Sequence, residues 1–370
     1  MARTASSPPT APPPPVGAPP PPRTPRGLPG TAWTVAALSV LLAVSAVLAI
    51  GLGSAVIAPT DTLRYLWAGT TGDLIGADEV TRYQITWQLR TPRVLLAATV
   101  GAGLGAVGAA VQALVRNPLA DPFVLGVSSG ASVGAVAVGV FGVLGSLGVY
   151  AVSAGAFLGA LGGTVLVYLA SLSAGGITPL RLVLTGVALS FGFQAVMGVI
   201  VYFVPGNEAT STVLFWTMGS FGAATWGSLP LVTAIVLAGI ALLVSASRRL
   251  DVMTLGDETA ASLGVDTDRL RRGLFLITAL MTGAMVAVSG AIGFVGLVVP
   301  HVVRIVVGAG HRRVLAVAPL VGAVFMVWVD LVARVVAAPR ELPLGFITAL
   351  VGVPVFILLL RRRGYLFGGR

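Results

Sequence analysis

The 370-residue chain is 56% hydrophobic and only 10% charged, with a mean hydropathy of +0.96, which excludes a water-soluble globule and predicts an integral membrane protein. The net charge of +10 comes from arginines at the ends of apolar stretches rather than on one basic face, which argues against nucleic acid as a partner. The absence of cysteine and lysine excludes disulfides, thiolate metal sites and a phosphate-loop lysine, so any ATP-driven step must use another polypeptide.

The N-terminal segment 1–30 differs sharply from the rest of the chain. It holds twelve of the 24 prolines, so it cannot form a core and should sample extended polyproline conformations. We predict a disordered cytoplasmic tail over 1–30, with a docking role as the alternative. The apolar run 32–57 is longer than the roughly 7 to 15 residues of a signal-peptide core, so it is predicted to be a span that stays attached.

A helix needs about 20 apolar residues to cross the hydrocarbon layer of a membrane. The predicted spans are 33–57, 92–115, 122–142, 147–173, 180–204, 227–247, 314–337 and 343–360. The stretch 273–310 is ambiguous by length alone. Arginines on both sides of it mark the same cytoplasmic face, so an even number of crossings must separate them.

Four residues supply a break in that stretch: Gly290, Gly293, Gly296 and Pro300. The break predicts a helix to about 292 and a short one at 298–308, which gives an all-α polytopic protein with ten transmembrane helices over 31–365. Both termini are then cytoplasmic. The segment between the first two spans, which holds Asp61, Asp73, Asp78 and Glu79, lies outside.

Two helix pairs echo each other at a constant spacing along the sequence. The matched pairs are Gly101 with Gly283, Ala102 with Ala284, Gly108 with Gly290, Pro118 with Pro300, and Gly126 with Gly308. The first helix of one pair runs inward and that of the other outward, the pattern of an inverted repeat. Gly101 and Gly105 also have the small-xxx-small spacing that lets helix backbones approach, so such residues serve helix packing or line a translocation path.

The longest hydrophilic stretch between spans is 248–272. Thr254 and Asp257 have capping-box spacing, and Gly264 is a good stop, so a short helix is predicted over 255–263. A second short helix could begin at Asp266 or Thr267. Two short helices at about 251–268 would form a compact projection able to contact a soluble partner, while a plain solvated loop is the default alternative.

Several long motifs, in order along the chain, carry a resemblance to a known family. They are LRTPR at 89–93, GAAVQALVRNPLADPFVLGVSSGA at 108–131, FWTMGSF at 215–221, LGDETAASLG at 255–264, SGAIGFVGLVVPHVVR at 289–304, DLVAR at 330–334 and ELPLGFITALVGVPVF at 341–356. The chain resembles the iron-siderophore and cobalamin (FecCD-type) permeases of bacterial ABC importers over about residues 35–365.

The resemblance implies a subunit of the bacterial inner membrane with no covalent chemistry, no catalytic residues and no bound cofactor, since ATP binds to partner subunits. Those partners are two cytoplasmic ATPase subunits, an extracytoplasmic substrate-binding protein, and a second copy or a homologous permease. The family's ATPase-coupling helix corresponds to Leu255, Gly256, Asp257, Glu258, Ala260, Leu263 and Gly264, with Asp257 where the family more often has Glu. Its docking arginines match Arg90, Arg93 and Arg334, which carboxylates of the binding protein would engage.

Other residues have more than one interpretation. The translocation path or helix packing would involve Gly101, Gly105, Gln112, Asn117, Pro118, Gly126 and Pro300. Arg90 and Arg93 could instead anchor a helix end at the lipid headgroups, and Arg334 could pair with Asp330 one turn before it. For His301 and Arg304, local hydrogen bonding is favoured over a metal site, because few other ligands converge there.

The predicted function is import of a ferric siderophore. Cobalamin and haem are the alternatives within the family. A different class, an ion-coupled secondary transporter with Asp330 as carrier, predicts uptake by this chain alone. An intramembrane hydrolase is disfavoured because no serine, histidine and carboxylate set converges in the spans.

Overall fold

A computed structural model describes residues 30–172, 178–203, 213 and 216–361 of the chain. The long helices are α1 (Thr31–Gly51), α4 (Thr91–Leu114), α6 (Ala151–Ser171), α7 (Pro179–Phe203), α8 (Leu229–Ser245), α11 (Thr267–Ser289), α13 (His311–Val335) and α14 (Leu344–Arg361). The shorter ones are α2 (Pro59–Thr71), α3 (Val80–Gln84), α5 (Val127–Phe141), α9 (Ser247–Met253), α10 (Asp257–Ser262) and α12 (Val295–Val307). The proline-rich tail lies outside the described residues.

Ten apolar segments of the described chain are suited to the membrane. Six helices are long and apolar enough to cross it, α8 and α9 form one more bent by 58°, and α5, α12 and α14 are shorter apolar helices. The all-helical architecture with several candidate membrane spans is confirmed, and the count of ten transmembrane helices stays a prediction. The segment predicted to lie outside contains α2, which starts at Pro59 and is followed by Gly72 in the left-handed conformation, with φ +79°.

Helix α4 is the centre of the bundle. It continues α3 through a π-helical turn at Ile85–Arg90, so one helix runs from Val80 to Leu114. Its neighbours are α13, α12, α11 and α8. Nearly all of its residues are buried. A helix that is apolar on every side and enclosed by other helices belongs to the core of a membrane bundle.

The predicted break in 273–310 exists, but two of the four residues assigned to it do not form it. Helix α11 ends at Ser289, where Gly290 has φ +66°, and α12 starts after Phe294, which has φ +68°. Gly296 and Pro300 lie inside α12. A proline is tolerated there because neighbouring groups can satisfy the carbonyl that it leaves free.

The predicted pair of short helices at 251–268 is only partly correct. The helix predicted over 255–263 is α10, which is shorter, and it is preceded by a short helix that was not predicted, α9, which ends at Met253. The Thr254 hydroxyl donates to the Asp251 carbonyl at 2.7 Å, so no capping box forms. Asp266 does cap a helix, accepting from the Arg269 amide at 2.9 Å, but that helix is the long α11.

The constant spacing found in the sequence does not align equivalent positions. Gly108 lies within α4, whereas Gly290 follows the end of α11. Pro118 is in a loop, whereas Pro300 is inside α12. A long helix followed by a short one occurs in both halves, but the register proposed for the repeat from these residues is wrong.

Candidate functional site

Four charged side chains meet at one end of α4 and α13. The Arg93 guanidinium donates from Nε to Asp330 Oδ1 at 2.8 Å and from Nη1 and Nη2 to the Glu341 carboxylate at 2.7 and 2.9 Å. Arg334 Nε lies 3.0 Å from Asp330 Oδ2. These four residues are here called the charge cluster. The predicted pairing of Asp330 with Arg334 is confirmed, and Arg93 and Glu341 complete it.

Arg90 and Arg334 also satisfy backbone carbonyls at the end of α1. Arg90 donates to the carbonyls of Ile50, Gly51 and Ala55 at 2.9, 3.0 and 2.7 Å, and Arg334 donates to that of Ala49 at 2.8 Å. The last carbonyls of a helix lack intrahelical donors and carry partial negative charge. Two guanidinium groups therefore stabilise the end of α1.

The three arginines predicted to dock a binding protein therefore lie together. They line a cavity of about 380 Å³ with Glu341 and residues of the loops around it. Arg90 and Arg93 are only 6% and 9% exposed, so neither is a headgroup anchor. Their donors are bonded to groups of this chain, a feature that the sequence could not show because Arg93 and Glu341 are 248 residues apart.

The predicted coupling residues form a small projection. Helix α10 lies between two glycines with positive φ, Gly256 at +113° and Gly264 at +78°. Leu255 and Leu263 are exposed at 62% and 60%, whereas Ala260 is fully buried. Glu258 is exposed on the first turn. An exposed apolar pair beside a short helix is a surface that a partner protein can cover.

Asp257 at the start of α10 is bound within the chain. Its Oδ1 accepts from Arg271 Nη2 at 2.6 Å and also from Arg116 Nη2. Burial alone would raise the pKa of Asp257, but the hydrogen bonds and positive charges of Arg271 and Arg116 hold that pKa below its ordinary value. Asp257 therefore anchors α10 to Arg271 and Arg116, and its Oδ1 is already bonded within the chain.

The glycines of α4 serve helix packing. A Cβ atom at Gly101 would lie 2.2 Å from the Gly322 carbonyl oxygen on α13, and one at Gly105 would lie 2.5 Å from that of Ala318. At Gly108 it would lie 2.0 Å from the carbonyl oxygen of Gly296 on α12. Backbones this close leave no room for any side chain, which decides between the two interpretations of these glycines.

Gln112 replaces a backbone hydrogen bond that Pro300 removes from α12. Proline has no N–H, so the Gly296 carbonyl one turn earlier loses its helical donor. Gln112 Nε2 donates to that carbonyl at 3.4 Å and to Leu297 at 3.1 Å, and its Oε1 accepts from Arg304. Both Gln112 and Pro300 thus belong to the α4–α12 contact, and Arg304 makes the local hydrogen bond that was predicted.

The loop after α4 is held by its own hydrogen bonds. The Asn117 amide donates to the Gln112 carbonyl at 3.1 Å, and the Asn117 side chain accepts from Leu119 at 2.9 Å. Pro118 lies inside this turn, and Gly126 with φ +75° starts α5. None of these three residues lines the cavity between α5, α7 and the break before α12.

A cavity of about 700 Å³, here called the larger cavity, opens between α5, α7 and the break before α12. Its polar lining consists of Asp121, Ser128, Ser129, Ser132, Ser190, Gln194 and Thr217, and the apolar part includes Phe191 and Phe294. None of these residues was predicted from the sequence to line a translocation path. The available signal was the spacing of Ser128 and Ser132 on one face of α5.

Asp121 lines this cavity near the starts of α5 and α12. Its carboxylate accepts from the Phe123 amide at 2.9 Å. Burial raises the pKa of Asp121 to about 6, and the nearby backbone N–H groups of Phe123 and Phe294 oppose that rise. Asp121 therefore fixes the end of the loop after α4 beside the break before α12.

A multi-helix membrane bundle with a broad cavity, a bonded charge cluster at one end and an exposed short helix defines a transporter subunit. The sequence matches the FecCD transport family over residues 41–362, and the chain belongs to that family. It is a permease subunit of an ABC importer of this family, and its role is transport.

Named relatives carry different cargoes. The chain is 40% identical over 285 residues to the cobalamin import system permease protein BtuC of Halobacterium salinarum, covering 76% of this chain and 75% of the relative. It is 39% identical over 306 residues to the hemin transport system permease protein HmuU of Yersinia pestis, covering 82% and 89%. A solved metal-chelate type ABC transporter in an inward-facing conformation matches with a TM-score of 0.76 and 34% identity, covering 89% of this chain and 99% of that one.

Proposed function

We propose that this chain forms the translocation path of an inner-membrane importer for a ferric siderophore, with ATP hydrolysed on separate subunits. The larger cavity, of about 700 Å³, carries the proposal. Its size falls within the range of roughly 300 to 1,000 Å³ in which proteins enclose small ligands. A cargo with the bulk of an organic chelate suits that volume.

The chemistry of the lining supports a chelate with hydrogen-bonding groups on its surface. Hydroxyl and amide side chains lie among apolar ones, and the lining residues in the described part of the chain include one carboxylate, Asp121, and no cationic side chain. A site for a small oxyanion would need arginine or several converging donors. A site for a neutral ferric chelate does not need arginine or converging donors. Haem and cobalamin remain the competing cargoes, since relatives are named for both.

Three surfaces support the proposed partners. Exposed Leu255 and Leu263 beside α10 suit the ATPase subunits. The cavity lined by Arg90, Arg93 and Arg334 suits a carboxylate of an extracytoplasmic binding protein, which would compete with the half-exposed Glu341 for Arg93. Helix α7 buries only Leu182 and Gly186 within this chain although it lines the cavity. A second permease, identical or homologous, would cover α7 and close the path from the other side.

An ion-coupled transporter with Asp330 as carrier has less support. Asp330 is fully buried between Arg93 and Arg334, so its carboxylate has no access to a passing ion. A carrier carboxylate must exchange its partner during each cycle. The FecCD membership also favours coupling to an ATPase.

Uptake in proteoliposomes tests the proposal. The chain is co-expressed with its ATPase and binding protein and offered a ferric hydroxamate, a ferric catecholate, haem and cobalamin in parallel. We expect ATP-dependent uptake of a ferric siderophore. Selective uptake of haem or cobalamin would contradict the ferric-siderophore cargo but support the ATP-driven importer. Uptake by the lone chain under an ion gradient would contradict the proposal.

A further inference from the structure

We infer that the ion pair between Arg116 and Asp257 transmits movement of α10 to the wall of the larger cavity at Asp121. Arg116 is therefore a positioning residue for transport. The inference rests on the proposed function. It assigns a role to an arginine that lies neither in the cavity nor on the exposed face of α10.

The backbone at Arg116 is the first observation. Helix α4 ends in a Schellman motif, because the Asn117 amide donates to the Gln112 carbonyl at 3.1 Å and the Arg116 amide donates to that of Ala113 at 3.2 Å. Arg116 occupies the left-handed position with φ +51°. Glycine is the usual residue there, and a residue with a side chain costs about 1–2 kcal/mol. The side chain at this position must therefore contribute something that glycine cannot.

The ion pair is what that side chain provides. The Arg116 guanidinium contacts the carboxylate of Asp257, the first residue of α10, and Arg271 of α11 holds the same oxygen at 2.6 Å. Helix α10 is short, and its main packing contacts are with α9 and α11. The ion pair between Arg116 and Asp257 joins α10 to the loop after α4.

The loop carries the connection onward as a compact unit. Its backbone bonds, including Ala120 N–H to the Asn117 carbonyl at 3.1 Å, fix its shape between Arg116 and Asp121. The next residue, Pro122, packs on Gly296 of α12, where an added Cβ would lie 2.7 Å from the proline Cδ, and Asp121 and Phe294 both line the cavity. A continuous series of contacts thus joins the exposed α10 to the cavity wall. A displacement of α10 would move the Asp121 end of the loop relative to α12.

Arg116→Gly is the decisive variant. Glycine suits the positive φ of this position, so the variant should unfold at the same temperature as the wild type or higher, while the ion pair is lost. In the complete complex we expect ATP hydrolysis close to that of the wild type. Transport per ATP should fall about 5- to 150-fold, the usual range of coupling between sites. Asp257→Asn should behave alike, and Asp257→Glu, which keeps the charge, should retain coupling.

Two controls separate the connection from docking and from general damage. Arg249→Gln removes an exposed charge on the neighbouring α9, for which the described chain shows no ion pair, and should leave the ratio of transport to hydrolysis unchanged. Because the chain has no cysteine, Leu119→Cys adds a single label site on the loop, where Leu119 is 40% exposed. Its labelling rate should change with ATP in the wild-type background and not in Arg116→Gly.

The outcomes are distinct. An unchanged transport-to-hydrolysis ratio in Arg116→Gly overturns the inference, and so does a parallel fall of hydrolysis and transport, which would mean lost docking. The inference is also overturned if the otherwise wild-type complex hydrolyses ATP while the labelling rate of Leu119→Cys stays constant. This test needs no cargo. Failure of the wild-type chain to transport under any condition counts instead against the proposed function, and the labelling result still decides the connection.

Discussion

At the scale of single residues, the chemistry of this protein depends on charges that are bound to one another. Asp330 was visible in the sequence as a partner for Arg334 one turn away, because helical spacing is local information. Its second partner, Arg93, is 237 residues distant, and only the packing of α4 on α13 brings the two together. Sequence spacing could therefore find half of the charge cluster and not the rest.

Asp330→Asn should be strongly destabilising. The carboxylate is fully buried between Arg93 and Arg334, and its loss leaves buried positive charge without compensation. Breaking such a pair typically costs about 3–5 kcal/mol. Thermal unfolding in detergent should show a lower midpoint. Glu341→Gln is the matched control, with a cost below about 1 kcal/mol because Glu341 is 45% exposed. Equal effects of the two variants would refute this account.

Asp121 should make stability depend on pH. Its folded-state pKa of about 6 exceeds its unfolded value, so its contribution to stability is complete below the unfolded pKa and is lost as pH rises through 6. Asp121→Asn cannot ionise, so its midpoint relative to wild type should rise between pH 4 and 7.5. The gain should be about 1–3 kcal/mol. Unfolding curves at both pH values check this, and a constant difference would contradict it.

At the scale of elements, apolar length and charge predicted the helices well, and local capping chemistry predicted them poorly. Asp266 was correctly identified as a helix start, whereas Thr254 was not, because its hydroxyl bonds back to Asp251. Pro300 was assigned to a break and instead lies within a helix. A partner from α4 satisfies the carbonyl it frees, which no local rule could show.

The α4–α13 contact should tolerate no side chain at Gly101. In Gly101→Ala the added Cβ would meet the Gly322 carbonyl at 2.2 Å, so the helices must separate. We expect a loss of about 1–3 kcal/mol, the usual cost of overpacking. In Gly162→Ala, at an exposed position of α6, the added Cβ meets nothing within 4 Å, so the change should be neutral or stabilising. Unfolding midpoints compare the two, and a stable Gly101→Ala would show that the contact can relax.

At the scale of the whole molecule, the arginine distribution predicts the orientation of the chain in the membrane. Both termini and α10 should face the cytoplasm, with α2 outside. The cysteine-free chain allows single labels at Thr71, which ends α2, and at exposed Ser262 in α10. An impermeant thiol reagent added to intact cells should modify Thr71→Cys and spare Ser262→Cys. The reverse pattern would invert the topology.

Two short helices have a consequence for the membrane itself. Helices α5 and α12, with 15 and 13 residues, are about 22 and 20 Å long, against roughly 30 Å of hydrocarbon. Both border the larger cavity. Membrane voltage falls across insulating material, at about 2.3 kcal/mol per charge for each 100 mV. If water fills this cavity in the membrane, the voltage falls mainly over these two short helices, and a charged cargo would cross most of it along their length.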